Sequence, residues 1–353
     1  MKKYGHEQVI FNYDKKTGLK CIISIHDTTL GPALGGCRMW NYPSEDEAFI
    51  DALRLAMGMT YKCAVSGFDN GGGKAVIIGD PKKDKTEGLF RAFGRYVESL
   101  NGRFYTGTDM GTFGEDFVYS FKETDCLVGL PEEYGGSGNT AVTTAFGVWR
   151  GIKATAKELY GDDSLTGVKI SVQGVGKVGY NLLKFLTEEQ ADVTITDIYR
   201  ESVEKALEDY PGIKAVEPEK IFDVECDIFS PCALGGILND DTIKRLKCKA
   251  VAGSANNQLA ESKHGDLLHE KGILYAPDFV INSGGLIQVA DELEGFNKDR
   301  VMAKTAAIYD ILTEIYKISK QNNISTHKAA NKLAEERIEV IGEIQRTYIP
   351  DRG

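Results

Sequence analysis

One short stretch constrains the fold of this chain more than any other. A β-branched run at residues 168–172 leads into Gly174-Val-Gly176-Lys-Val-Gly179. A helical pattern follows, carrying Leu182, Leu183, Phe185 and Leu186, and a second apolar run at 193–195 ends at Asp197. This order reads as one strand–turn–helix–strand unit of a dinucleotide-binding domain, doubly wound in the Rossmann manner. Gly174 permits the tight turn. Gly176, with Val175, Lys177, Val178 and Tyr180 beside it, lets the backbone approach a pyrophosphate at a helix N-terminus, where unpaired N–H groups point outward. Gly179 allows close helix–strand packing, and Asp197 is placed to accept hydrogen bonds from a ribose. The competing reading is a glycine-rich turn that binds nothing. The two strands, the helix and the acid at the right interval favour the nucleotide.

The unit lies mid-chain, so a separate domain precedes it. A length of 353 residues suits two domains, and a 42% hydrophobic content can fill two cores. We place the first domain at 1–137, the nucleotide domain at 138–325 and a helical segment at 326–353. A net charge of −10 disfavours nucleic acid or an anionic membrane as partner. No apolar run approaches membrane-spanning length, and the two N-terminal lysines are not followed by a hydrophobic stretch, so no signal peptide is expected. The seven cysteines are scattered, without a CxxC pair, and read as reduced thiols of a cytoplasmic protein. Neither they nor the five histidines have metal-ligand spacing, so no metal is expected.

Along the first domain the pattern predicts strands within 8–26 and a helix from Ser44, capped with Glu47, to about Met59. A glycine turn at 71–73 leads into a strand at 74–78, followed by a helix at 87–100 and a short extended piece at 104–106. A hinge is expected at 135–139, a connecting helix at 143–159 and helices at 299–319 and 329–344. Lys62 falls just past the first long helix and Lys74 just past three glycines. Three glycines carry a large entropic cost, which suggests close approach of another group. A lysine there is either an ordinary solvated one or a site lysine kept partly neutral by burial and a neighbouring cation. Asp109 sits between small residues in a second loop. Alone it would read as a turn aspartate. Beside two such lysines and a nucleotide domain, a site becomes the better reading.

Six stretches carry a resemblance to a known family: GPALGGCR at 31–38, MTYKC at 59–63, GGGKAVIIGDP at 71–81, FYTGTDMGT at 104–112, GSANNQL at 253–259 and YAPDFVINSGGLIQVADEL at 275–293. Together they resemble the glutamate, leucine, phenylalanine and valine dehydrogenase superfamily, over nearly the whole chain and in the expected order. The resemblance implies an α/β substrate and oligomerisation domain before the nucleotide domain, a cleft between them, and a C-terminal segment returning toward the first domain. It implies a homo-oligomer acting on a small amino acid, its keto acid and ammonia.

The resemblance also implies roles. Lys62 matches the lysine that pairs with the substrate carboxylate, helped by the Gly35 backbone and the Asn256 amide. Lys74 matches the catalytic lysine, which activates water and then stabilises the developing carbinolamine oxygen. Asp109 matches the aspartate that handles protons on the amine side. The nucleotide side would use the loop from Gly174 to Tyr180, Asp197, Ile198, Thr144, Ala233, Leu234, Ser254, Ala255 and Asn282. NAD is expected over NADP because Asp197 would repel a 2′-phosphate, although Arg200 lies close in sequence. Cys232, after a predicted strand, reads as a packing residue.

The resemblance narrows the substrate as well. The positions where glutamate enzymes carry a lysine and a serine are Leu34 and Val289 here, so a glutamate side chain would lack a partner. Gly107 stands where leucine enzymes have alanine, and would make room for a ring. Leu286 stands where they have valine. Both motifs resemble those of the phenylalanine-type members, which implies oxidative deamination of L-phenylalanine with NAD. Residues 31–40 and 136–139 also resemble leucine enzymes, so branched-chain amino acids stay open, as does tryptophan. A catalytically inactive NAD-binding sensor is the remaining alternative, and the joint presence of Lys62, Lys74, Asp109 and Asn256 weighs against it.

Overall fold

The computed structural model describes residues 5–344. It forms two compact units, one running to Leu130 and resuming at Lys332, the other spanning Pro131–Asn331. The contacts divide the chain at 130/131 and 331/332, where the sequence reading places boundaries at 137/138 and 325/326.

In the first unit the strands are β1 (Gln8–Tyr13), β2 (Lys20–Asp27), β3 (Ala33–Leu34), β4 (Cys37–Trp40), β5 (Gly71–Ile78) and β6 (Phe104–Tyr105). The helices are α1 (Glu45–Val65), α2 (Glu87–Glu98) and α3 (Gly114–Ser120). The sheet order is β1-β2-β5-β3-β6, with β4 also beside β5. β1, β2 and β5 run antiparallel, whereas β3 and β4 lie parallel to β5. Ser44 caps α1 by accepting the Glu47 N–H at 3.2 Å, as the sequence predicts. A core of Ile23, Ile25, Met39, Ile77, Phe90, Phe93, Phe104 and Phe117 packs on one side of this sheet, and α1 contributes Ala48 and Ala52 to another cluster with Ile22 and Val76.

Two local expectations fail here for one reason. The three glycines at 71–73 are not a turn but the first half of β5, so Lys74 lies inside a strand. α1 also continues past Met59, so Lys62 sits in its last turn rather than beyond it. The glycines let α1 and the neighbouring strands approach the sheet backbone. A Cβ on Gly72 would lie 2.1 Å from Thr60 N, and one on Gly73 would lie 2.8 Å from the Phe104 ring. At Gly72 the group that approaches closely is the protein's own helix α1.

The second unit begins with α4 (Ala141–Tyr160), β7 (Lys169–Gln173), α5 (Lys177–Glu188), β8 (Asp192–Thr196), α6 (Arg200–Asp209) and β9 (Lys214–Ala215). It continues through β10 (Ile228–Pro231), α7 (Thr242–Arg245), β11 (Ala250–Val251), α8 (Lys263–Glu270), β12 (Leu274–Tyr275), α9 (Asp278–Ile281) and α10 (Gly284–Asp291). The last helices are α11 (Lys298–Ala306), α12 (Ile308–Asn322) and α13 (Thr326–Gly342), whose residues from Lys332 onward are counted with the first unit. The helix expected at 299–319 is therefore two helices. The sheet order is β12-β11-β10-β7-β8-β9, and every pairing is parallel. The first strand lies beside the fourth, which is the doubly wound Rossmann order. The strand order reverses at β7/β10, where such sheets bind ligands at their carboxyl ends. No helix among the described residues is long and apolar enough to cross a membrane.

Candidate active site and nucleotide loop

Lys74 is aimed by β5 and is only 4% exposed. Its ammonium pairs with Asp109 Oδ2 at 3.0 Å, and Arg38 Nε donates to the same oxygen at 3.0 Å. Arg38 comes from β4. Its Nη1 reaches Asp51 Oδ2 of α1 at 2.9 Å, and the Tyr42 hydroxyl donates to that same oxygen at 2.6 Å. The loop holding Asp109 is pinned to β4. Thr112 Oγ1 accepts the Asp109 N–H at 3.0 Å and donates to Cys37 O at 2.8 Å. Burial pushes the Asp109 carboxyl up, but the adjacent Lys74 and Arg38 cations outweigh it and hold the group below its ordinary range. The sequence reading missed Arg38, Asp51, Tyr42 and Thr112. Arg38 was in view as the last residue of the 31–38 stretch. Its partners became visible only when β4, α1 and the 109 loop were brought together.

Two expected site residues have different neighbours from those foreseen. The Gly35 N–H donates to Tyr105 O at 3.1 Å, so that donor is already used within the sheet. A Cβ on Gly35 would lie 1.8 Å from Gly73 O, and close backbone packing explains the glycine. Gly107 does not open space for a ring in this structure. Its carbonyl accepts from Cys37 N, and a Cβ there would lie 2.4 Å from Val128 O. The segment is enclosed by backbone on both sides. Leu34 is 1% exposed, and no cation pairs with it; Lys62 is half-buried in α1.

In the second unit the three loop glycines differ. Gly174 has φ +95°, which favours glycine, and a Cβ there would meet Ala233 Cβ at 2.8 Å. A Cβ on Gly179 would lie 2.0 Å from Gly174 O, so this glycine lets α5 close onto the turn. A Cβ on Gly176 would meet nothing within 4 Å, and the α5 N-terminus has no side-chain cap. The exposed Gly176 backbone is where an anion has room to approach. Asp197 Oδ2 accepts Val175 N at 2.8 Å and Oδ1 accepts Tyr199 N at 2.9 Å, tying the end of β8 to the loop. Ile198 and Leu234 are exposed, at 75% and 74%. Tyr180 instead turns its hydroxyl to Asp209 of α6. Ala255 spends its N–H on Pro231 O, and Thr144 donates back to Thr140 O.

Asn282 Nδ2 donates to Ser254 O at 3.1 Å and to Asn256 Oδ1 at 2.7 Å. With its oxygen engaged, Asn256 presents its amide N–H groups as donors. Asn282 thus braces Asn256. Arg200 bonds Glu204 one turn along its helix at 2.8 Å and is 90% exposed, which is the behaviour of a solvated surface residue. Cys232 is half-buried, with Ser230 Oγ 3.6 Å away.

A parallel sheet in Rossmann order with an open glycine loop, joined in one chain to an α/β unit holding a buried Lys–Asp pair, defines a two-domain α/β dehydrogenase class. The family model "Glu/Leu/Phe/Val dehydrogenase, dimerisation domain" matches residues 6–126, and "Glutamate/Leucine/Phenylalanine/Valine dehydrogenase" matches 194–345. The chain belongs to this family and is an amino-acid dehydrogenase. It is 56% identical over 349 residues to a leucine dehydrogenase of Geobacillus stearothermophilus, covering 99% of this chain and 95% of that one. It is 57% identical over 350 residues to a phenylalanine dehydrogenase of Caldalkalibacillus thermarum, covering 98% and 95%. Among solved structures, the L-tryptophan dehydrogenase of Nostoc punctiforme superposes with a TM-score of 0.87 at 43% identity, over 96% of this chain and 98% of that one.

Proposed function

We propose that this chain catalyses the NAD-dependent reversible oxidative deamination of L-phenylalanine to phenylpyruvate and ammonia. The buried Lys74–Asp109 pair carries the chemical part of this reading. A nucleotide-binding module alone has no use for an ammonium at 4% exposure held at 3.0 Å from a carboxylate. Lys62 and Asn256 bind the substrate carboxylate. A bound NAD would supply the acceptor for the hydride from Cα, and Lys74 takes a proton from the water that attacks the imine. Asp109 moves the proton on the nitrogen side. The buried, apolar Leu34 supports an apolar side chain in the substrate, since a second carboxylate there would be desolvated without a cation. Phenylalanine itself rests on the motifs at 104–112 and 282–293, Leu286 among them, and not on space at Gly107. A second reading, branched-chain amino acids, is favoured by the Val128 carbonyl occupying the side where a Gly107 Cβ would point.

NAD as the cofactor is supported by Asp197 beside the open loop and by the solvated, internally paired Arg200. Gly176→Ala adds a methyl into open space. We expect thermal unfolding to stay close to wild type, within about 0.5 kcal/mol as for most surface changes, while NADH affinity falls. Unchanged NADH binding by fluorescence titration would remove the loop from the site. The same reading carries homo-oligomeric assembly and a cytoplasmic setting as further expectations.

The test of the substrate is NADH formation at alkaline pH with L-phenylalanine, L-leucine, L-tryptophan and L-glutamate. Phenylalanine should give the highest kcat/KM and glutamate the lowest. Leucine leading would keep the chemistry and transfer the assignment to the second reading. No turnover with any of them would leave a nucleotide-binding sensor.

A further inference from the structure

Two cations share one oxygen of Asp109. Lys74 Nζ and Arg38 Nε each lie 3.0 Å from Oδ2, so the two nitrogens are at most about 6 Å apart. The other oxygen, Oδ1, carries no hydrogen bond to the described residues. Arg38 is itself held from behind by Asp51 and, through it, by Tyr42, and its side chain is 14% exposed. A guanidinium does not give up its proton in a protein, whereas an ammonium can. A buried carboxylate left without any cation is costly.

We propose that Arg38 is a positioning residue that keeps Asp109 paired when Lys74 releases its proton, leaving Lys74 free to act as the base. This rests on the reading of Lys74 as the base. The charged and titratable groups facing the pair are Lys74 from β5, Arg38 and the buried Cys37 thiol from β4, and Asp51 of α1 with Tyr42 behind Arg38; Asp116 acts on Cys37. Burial pushes the Cys37 thiol well above its ordinary range, so it adds no charge to the cluster near neutrality. With Arg38 present, loss of the Lys74 proton leaves an intact Arg38–Asp109 pair. Without it, the same loss leaves Asp109 alone, so the proton is held harder.

The experiment is the pH profile of kcat/KM and kcat for wild type, Arg38→Gln and Arg38→Lys, with NADH binding and thermal unfolding recorded for each. In Arg38→Gln the rising limb of activity should move to higher pH by about one unit or more, in keeping with the effect of one adjacent charge. At a fixed pH below the limb, kcat should fall more than KM changes. Arg38→Lys keeps the charge, so its limb should stay near wild type even where Gln prevents folding. A uniform loss of kcat with an unmoved limb in Arg38→Gln would overturn the proposal, as would a limb in Arg38→Lys displaced as far as in Gln. Should Lys74→Met retain turnover, the reading of the base fails, independently of what Arg38 does.

Discussion

Lys74→Met should lower kcat by about a thousandfold or more. A positioned acid–base group contributes roughly 10²–10⁴ in rate, and a donor aimed at a developing oxyanion roughly another 10²–10³. Lys74 is assigned both tasks. Methionine fills similar volume without a charge, and Asp109 keeps Arg38 at 3.0 Å, so the carboxylate is not left unpaired and the fold should persist. The glycine loop belongs to the other unit, so NADH should bind as before. Steady-state turnover with L-phenylalanine, set beside NADH titration, checks both halves. A rate within tenfold of wild type would take Lys74 out of the chemistry, and lost NADH binding would show that the substitution disturbed more than the site.

Gly72→Ala is expected to be the most damaging single methyl added to the first unit. The new Cβ would lie 2.1 Å from Thr60 N, 2.2 Å from Thr60 Oγ1 and 2.5 Å from Thr60 Cα. Two of these atoms are backbone of α1 and cannot rotate away. The helix has to lift from β5, and Lys62, two residues beyond Thr60 in the same helix, moves with it. Overpacking typically costs about 1–3 kcal/mol, and here the obstructing atoms are rigid, so the upper end or beyond is expected. Thermal unfolding should show a clearly lower midpoint, and any folded fraction should show a raised KM for the amino acid. Wild-type stability would mean that α1 stands further from the sheet than this structure has it.

The features of this chain differ in how far the sequence reveals them. The glycine loop at 174–179 was legible because its geometry is local. The positive φ of Gly174, the open surroundings of Gly176 and the tight packing of Gly179 all arise within one strand–turn–helix unit. Local sequence therefore carries the signal. The Ser44 cap and the start of α2 at Glu87 were readable for the same reason.

The glycine run at 71–73 shows where that stops. A run of three glycines states that something comes close, but a turn and a strand under a helix are equally consistent with it. Only the docking of α1 against β5 decides, because the atoms that exclude a Cβ on Gly72 belong to residue 60. Gly107 is a similar case: its missing side chain was read as room for substrate, yet the space is taken by the carbonyl of residue 128. Lys74 and Asp109 were singled out as candidates by the sequence and its resemblance to a family. That Arg38 stands with Lys74 on one oxygen, and that Asp51 anchors it, was decided by tertiary structure. Electrostatic partners are fixed by distances of a few ångströms between strands and a helix far apart in the chain, and no spacing along the chain encodes such distances.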